Sequence, residues 1–272
     1  MTLGNPLLDP ADRTARGLAL QAEVNAAPAP PAVTLLDESW RDFIFAEVWS
    51  RPGLERRART LVAIASACCC GLSDERLDGY VRGALDGEVL TQSELREAAL
   101  HLAVYGGWAN GERLDKALTR IAAELGVEAV TVPPLRAAPW DPQARNDEGH
   151  AGFDAVMTYP PGPPVTPFLE AINNFVFGEM WARPGLDQRS RRWITLVGVC
   201  ESGAEIPIHS HIHAAMASGN CTPAEMLEYV LQYATHAGWP KASRMQGAVL
   251  AMTKNYEAGL TWNGQPMEGK PA

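Results

Sequence analysis

The chain has 272 residues, 46 % hydrophobic and 20 % charged, with a formal net charge of −9. This is ordinary globular composition, long enough for one or two domains. It holds no basic run that would mark a nucleic-acid surface and no apolar stretch near the ~20 residues that span a bilayer. The opening MTLGNPLLDPADR has neither a basic start nor an apolar stretch, so no secretory signal is read and the cytoplasm is the expected compartment. Cysteine usage agrees: Cys68, Cys69 and Cys70 are consecutive, Cys200 and Cys221 stand alone, and no C-x-x-C pair occurs.

In chain order, the first predicted element is a helix opened by Asp9-Pro10, an N-cap followed by a first-turn proline. A proline-rich arm, APAPPAVT (27–34), leads to FIFAEVWSRPGLERRAR (43–59). There Phe45 and Trp49 lie four apart, as do Phe43 and Glu47, so each pair shares one face of a helix that stops at Arg51-Pro52-Gly53. A second helix is expected from about Glu55 to Cys70 and a third from Ser73-Asp74. The capping box Thr91-x-x-Glu94 opens a fourth, which ends at Gly106-Gly107, and the last runs to about Leu125.

After a joint around Val127 to Trp140 the series begins again. Asp141-Pro142 opens a helix, TYPPGPPVT ends an arm at Thr166, and FVFGEMWARPGLDQRSR (175–191) matches the earlier motif at an offset of 175 − 43 = 132. Helices are expected from Asp187 to Glu201, from Pro207, from the capping box Thr222-x-x-Glu225 to Gly238, and on to Ala258. AGW (237–239) meets GGW (106–108) at 131, and the one-residue difference is placed in the turn before Thr91 and Thr222. An internal duplication of this length predicts two bundles of similar design, all-α, with no alternating strand pattern.

The motif F-x-F-[AG]-E-x-W-x-R-P-G-L-[ED]-x-R-x-R, with HIHAAMASGNCTPAEMLEYVLQYATHAGWPKA (211–242), resembles the carboxymuconolactone decarboxylase family, which shares its helical fold with the alkylhydroperoxidase D-like proteins. The resemblance implies an N-terminal arm at 1–34, repeat one at 35–126, a joint and second arm at 127–166, repeat two at 167–260 and a tail at 261–272. It also implies a homo-oligomer, a trimer of two-repeat chains forming a six-unit ring. The peroxidase-like relatives use C-x-x-C followed four residues on by histidine; here Ala204 and Pro207 stand at those spacings before His211. A dithiol peroxidase is therefore disfavoured, since that chemistry needs a thiolate and a resolving thiol.

The decarboxylase branch implies cofactor-free acid–base chemistry on a small carboxylate or lactone, a lyase or isomerase of aromatic or related catabolism, with neither nucleic acid nor membrane as partner. Loss of carbon dioxide leaves an enolate whose carbon must be protonated, a task suited to histidine. By resemblance His211 is the active-site histidine. Against it, copy one offers Tyr80 or Gly79, depending on where the gap falls, and Cys69 faces Glu201 while Tyr105 faces His236. Copy two alone thus carries His211, His209, Glu201 and His236 as acid–base candidates, and repeat one reads as degenerate. Arg192, facing Thr60, is a candidate for gripping a substrate carboxylate, with His213, Trp239, Tyr80 and Tyr105 as pocket walls. A histidine is expected beside Glu201, because a carboxylate near a helix C-terminus needs a compensating partner. The residues leave one more alternative, a non-catalytic or metal-binding assembly protein in which His209 and His213, four apart, join Glu201 or His236; no metal is assigned. His101 and His150 read as packed or surface groups. Trp181 reads as core, and Glu47 and Glu179 as structural ion pairs.

Overall fold

The computed structural model describes residues 9–136 and 138–267, so the first eight residues, read above for a secretory signal, and the end of the 261–272 tail lie outside it. Among the described residues every regular element is a helix, apart from one isolated bridge between Leu260 and Pro266. Repeat one runs α1 (Pro10–Asn25), α2 (Leu35–Ser39) continuing as a π-helix, π1 (Trp40–Trp49), then α3 (Arg56–Cys69), α4 (Asp74–Asp86), α5 (Gln92–Gly106) and α6 (Trp108–Glu124). Repeat two follows the same order: α7 (Pro142–Met157), α8 (Pro167–Ala171) continuing as π2 (Ile172–Met180), α9 (Gln188–Ser202), α10 (Glu205–Ala217), α11 (Pro223–Ala237) and α12 (Trp239–Glu257).

Local chemistry explains the starts. Asp9 and Asp141 each accept a backbone N–H of their own first turn, and Thr91 and Thr222 form complete capping boxes with Glu94 and Glu225. Two expectations are corrected. The stretch before Arg51 and Arg183 is wound as wider π turns. The missing residue lies in the α3–α4 turn: Gly71 and Gly203 keep the offset of 132, whereas α4 and α10 begin at 205 − 74 = 131. Helix α10 therefore starts before Pro207, whose missing N–H falls among the first-turn groups that have no intrahelical partner. His211 stands opposite Tyr80, not Gly79.

Glycine lets the arm helices lie close. A Cβ on Gly17 would sit 2.4 Å from the Arg41 carbonyl oxygen, and one on Gly149 2.4 Å from that of Asn173. The same contacts are tied by Arg13–Glu47 and Arg145–Glu179, both 2.7 Å. These are the structural ion pairs expected for the two recurrent glutamates.

The repeats interlock. Helices α3 and α9 pack on each other, α5 crosses to α9, and α11 crosses to α3. The R-P-G-L-x-x-R-x-R motif locks this crossing. Arg183 binds Glu97 of α5 through both oxygens (2.6–2.9 Å) and Arg191 adds a contact at 3.2 Å. In the reciprocal place Arg51 (2.6–3.0 Å) and Arg59 (3.0 Å) bind Glu228 of α11. A second exchange joins Arg57 to Glu94 and Asp187, and Arg189 to Glu225 and Glu55. Burial pushes the Glu97 carboxyl up, but Arg183 and Arg191 outweigh it and hold its pKa below the ordinary value. No described helix is long and apolar enough to cross a membrane.

Because the Glu97 side chain is only 2 % exposed, Glu97→Ala would strand two buried guanidiniums. A loss of roughly 3–5 kcal/mol in urea unfolding is expected. Glu228→Ala should cost less, since that carboxylate is 14 % exposed and Arg51 reaches solvent.

Candidate active site

The crossing of α5 onto α9 brings side chains of both repeats into one buried cluster. His211 of α10 is 7 % exposed, and the edge of one ring meets the face of the other where it packs on Tyr105 of α5, centroids 5.3 Å apart. The Tyr105 hydroxyl accepts 2.7 Å from Trp181 Nε1, just beyond π2. Arg192 of α9 is fully buried beneath the Trp181 ring, 4.9 Å from its centroid. Its Nε donates to Asn220 Oδ1 at 3.1 Å and its Nη2 donates to the Val156 carbonyl. His101, one turn before Tyr105, is also fully buried, its Nε2 2.8 Å from Thr195 Oγ1 and its ring 4.8 Å from that of Trp181.

Three nitrogens of this cluster have no hydrogen-bond partner: His101 Nδ1, His211 Nδ1 and Arg192 Nη1. Each unsatisfied buried polar group costs about 1–3 kcal/mol, so three together mark a place built to meet something else. The charge balance says what. No carboxylate is seen to pair with Arg192, although a buried guanidinium ordinarily has one. Burial lowers the Arg192 pKa to about 10, which leaves it cationic at neutral pH. Burial, then the Arg192 charge, lowers His211 to about 3. Burial, then Arg191, His211 and Arg192, takes His101 well below its ordinary value. Burial raises Tyr105 to about 12. The resting cluster is thus one cation with two neutral imidazoles and a neutral phenol. It can take an anion, and that anion would raise both histidines toward protonation.

The structure brings His211, Arg192 and Tyr105 together and disperses the other sequence candidates. His209, two residues from His211 on α10, points to another face and is half-buried. His213 Nε2 lies 2.7 Å from the Leu260 carbonyl and ties α10 to the turn after α12. Glu201 accepts from Tyr233 and from Lys241 Nζ at 2.7 Å, so lysine and tyrosine supply the partner expected of a histidine. His236 and Tyr80 stack on each other, 5.6 Å apart, in a separate cluster with Trp40. Trp239 is 58 % exposed and packs on Phe43. The metal alternative loses its set, because His209, His213, His236 and Glu201 go four separate ways, and no group of three such ligands converges among the described residues. Burial, the largest cause at each, raises all five thiols to about 12, so they stay protonated at neutral pH.

Sequence reasoning missed His101, Thr195 and Trp181. The signal for His101 was its place four residues before Tyr105, on the same helix face. Tyr105 was expected as a wall lent by repeat one; that repeat one also lends His101 to the cluster was not.

The model of the carboxymuconolactone decarboxylase family matches the chain twice, at residues 35–120 and 166–253. A 4-carboxymuconolactone decarboxylase from Acinetobacter baylyi is 45 % identical over 65 residues, 24 % of this chain and 47 % of that protein. A nitrosuccinic acid decarboxylase from Metarhizium robertsii is 34 % identical over 80 residues, 28 % of this chain and 55 % of that protein. The chain thus spans about half the length of these relatives.

The buried histidines give a pH prediction. The unfolded chain takes up a proton on His211 near pH 6.5, whereas the native state resists until about pH 3. Between these values the unfolded state binds more protons, so stability is fully present above pH 6.5 and falls as the pH drops. Each such histidine contributes up to about 1.4 kcal/mol per pH unit in that window. Calorimetric melting from pH 7 down to 5 should show a falling midpoint, with a shallower slope in His211→Gln. An equal slope in the variant would place the His211 titration elsewhere.

Proposed function

The chain belongs to the carboxymuconolactone decarboxylase family, and we propose that it is a decarboxylase-type lyase whose reaction centre is the His211–Arg192–Tyr105–His101 cluster between its repeats. The single observation that carries this reading is the buried, carboxylate-free Arg192 with an open Nη1, set among groups that carry His211 Nδ1 and His101 Nδ1. Names of similar proteins add the reaction type: both act as decarboxylases. The substrate class is a small carboxylated or lactone-like molecule with a carbonyl conjugated to the carbon that loses carbon dioxide.

In this scheme the substrate binds as an anion. Arg192 Nη1 takes a carbonyl or carboxylate oxygen, and the added negative charge raises the neighbouring imidazoles so that His211 takes up a proton from solvent. The bond between the carboxylate and the ring carbon then breaks. Carbon dioxide leaves and the electron pair passes into the conjugated carbonyl as an enolate, whose oxygen charge Arg192 stabilises. His211 returns its proton to the carbon and is neutral again. The substrate's own carbonyl is the electron sink, so the scheme calls on no cofactor. Tyr105, hydrogen-bonded to Trp181, fixes the His211 ring by edge contact.

Carbon dioxide release tests the proposal with 4-carboxymuconolactone and with nitrosuccinic acid, an open-chain acid in which a nitro group takes the carbonyl's place as electron sink and a nitronate the place of the enolate. With the substrate that is turned over, His211→Gln should lower kcat at least about 100-fold. Arg192→Gln should lower kcat/KM by a similar factor, and His209→Gln should stay within about twofold. Full turnover in His211→Gln, or release from neither acid, would overturn the assignment.

Assembly is a second part of the proposal. Leu36 (66 % exposed) of α2 and its counterpart Phe168 (73 %) of α8, with Leu35 (83 %) beside the first, leave apolar faces open at matching places in the two repeats. These faces support a trimer of two-repeat chains. Sedimentation equilibrium should give three times the 29.4 kDa chain mass, and a monomer would exclude it.

A further inference from the structure

Repeat one holds its own version of the same constellation. Tyr80 of α4 occupies the place that His211 has on α10, and His236 of α11 the place that Tyr105 has on α5. The rings of Tyr80 and His236 stack at 5.6 Å, and Trp49, the counterpart of Trp181, stacks on Tyr80 at 5.8 Å. The histidine and tyrosine have exchanged helices. The sequence comparison read this as loss of a histidine from repeat one, yet the crossing of α11 returns one.

The surroundings differ. A cleft of about 810 Å³ opens here, between the arm at 27–32, π1, α4 and the end of α6, within the size range of small-molecule sites. In repeat two the matching positions are filled. Gln21, Asn25 and Ala27 line the cleft, whereas Phe153, Met157 and Tyr159 stand there and pack with Phe177 and Trp181. The fold therefore does not require the cleft; small and polar side chains keep it open.

Its polar groups specify a ligand. Arg76 lies over the Trp40 ring, 3.8 Å from the centroid, and its carboxylate contact, Asp37, is 3.7 Å away, beyond hydrogen-bond reach. The other two arginines of the lining are closely engaged, Arg41 with Asp42 and Arg82 with Glu124. Of the four lining acids, Asp78 is held by Arg120 and Glu124 by Arg82, Asp37 is the one near Arg76, and Glu75 is exposed to solvent. The Tyr80 hydroxyl, on a residue 1 % exposed, meets the Trp49 indole N–H, itself a donor, so its own proton finds no acceptor, and Asn25 Oδ1 closes no hydrogen bond. Arg76 and the Tyr80 hydroxyl offer donors to one anionic group, and Asn25 Oδ1 asks for a donor in return.

We propose that the repeat-one cleft is a second small-molecule site, separate from the His211 cluster, that binds a small hydroxycarboxylic acid, its carboxylate on Arg76 and Tyr80 and its hydroxyl on Asn25. His236 does not line the cleft; it backs Tyr80 and fixes that ring. This site stands whether or not the lyase reading holds, because it shares no residue with the His211 cluster.

Titration calorimetry of the full chain with malate and with 4-hydroxybenzoate tests it. Saturable binding of at least one acid is expected, weakened at least about tenfold by Arg76→Gln and unchanged by Arg192→Gln. The matching acid without a hydroxyl, succinate or benzoate, should bind more weakly. Ala27→Tyr copies the side chain that fills the matching place in repeat two, so it should fold and abolish binding. Absence of saturable binding by either acid below about 10 mM, a Kd weaker than roughly −3 kcal/mol of binding free energy, would overturn the proposal. So would binding that follows Arg192 and ignores Arg76, or that survives Ala27→Tyr.

Discussion

One carboxylate held between two arginines of the other repeat, made twice, is the constraint on which the rest of the structure depends. Glu97 lies between Arg183 and Arg191, and Glu228 between Arg51 and Arg59. These glutamates are also the first members of a stripe. Glu97, His101 and Tyr105 follow at spacings of four along α5, and Glu228, Gln232 and His236 do the same along α11. Fixing the glutamate fixes the face, so the clamp that joins the repeats also aims His101 and Tyr105 at Arg192 and His211. A buried ion pair is weak evidence for net stability, but it sets register and orientation, and that is its use here.

Duplication supplied two equivalent places, and substitution made them different. In repeat two, Arg192 replaces the position of Thr60, and Phe153, Met157 and Tyr159 close the space above it. The result is a dry cluster in which every charge interaction is strengthened by the low local dielectric. In repeat one the cation is Arg76, near the surface and against Trp40, beside an open cleft. The first place is closed off from solvent and the second opens to it.

The electrostatics of the closed cluster follow from what is missing as much as from what is present. Arg192 meets a carbonyl, an amide oxygen and an aromatic face, but no carboxylate. An internal Asp or Glu would satisfy it and would also compete with an anionic substrate. Neutral histidines beside an unpaired cation would take up protons near neutral pH only with a negative charge next to them.

Local pattern was enough for the helical units, their order and the starts marked by a cap, but not for the π turns or the start of α10. Duplicated Asp-Pro caps, Thr-x-x-Glu boxes and the Trp-x-Arg-Pro-Gly motif are local features, and local hydrogen bonding carries them into structure unchanged. The sequence also separated His211 and Arg192, present once, from Arg59 and Arg191, present twice. What it could not give was which residues meet. His236 looked like a partner of His211 because both lie in copy two, and His101 looked like packing because it lies in copy one. Helices α5 and α11 cross to the opposite repeat, so contact runs between copies and not within them. That crossing depends on long-range Arg–Glu pairs some 90 to 180 residues apart in the chain, a separation no local pattern encodes. Tertiary structure alone therefore decided that His101 belongs with His211, that His236 belongs with Tyr80, and that the open cleft lies in the repeat that had seemed inert.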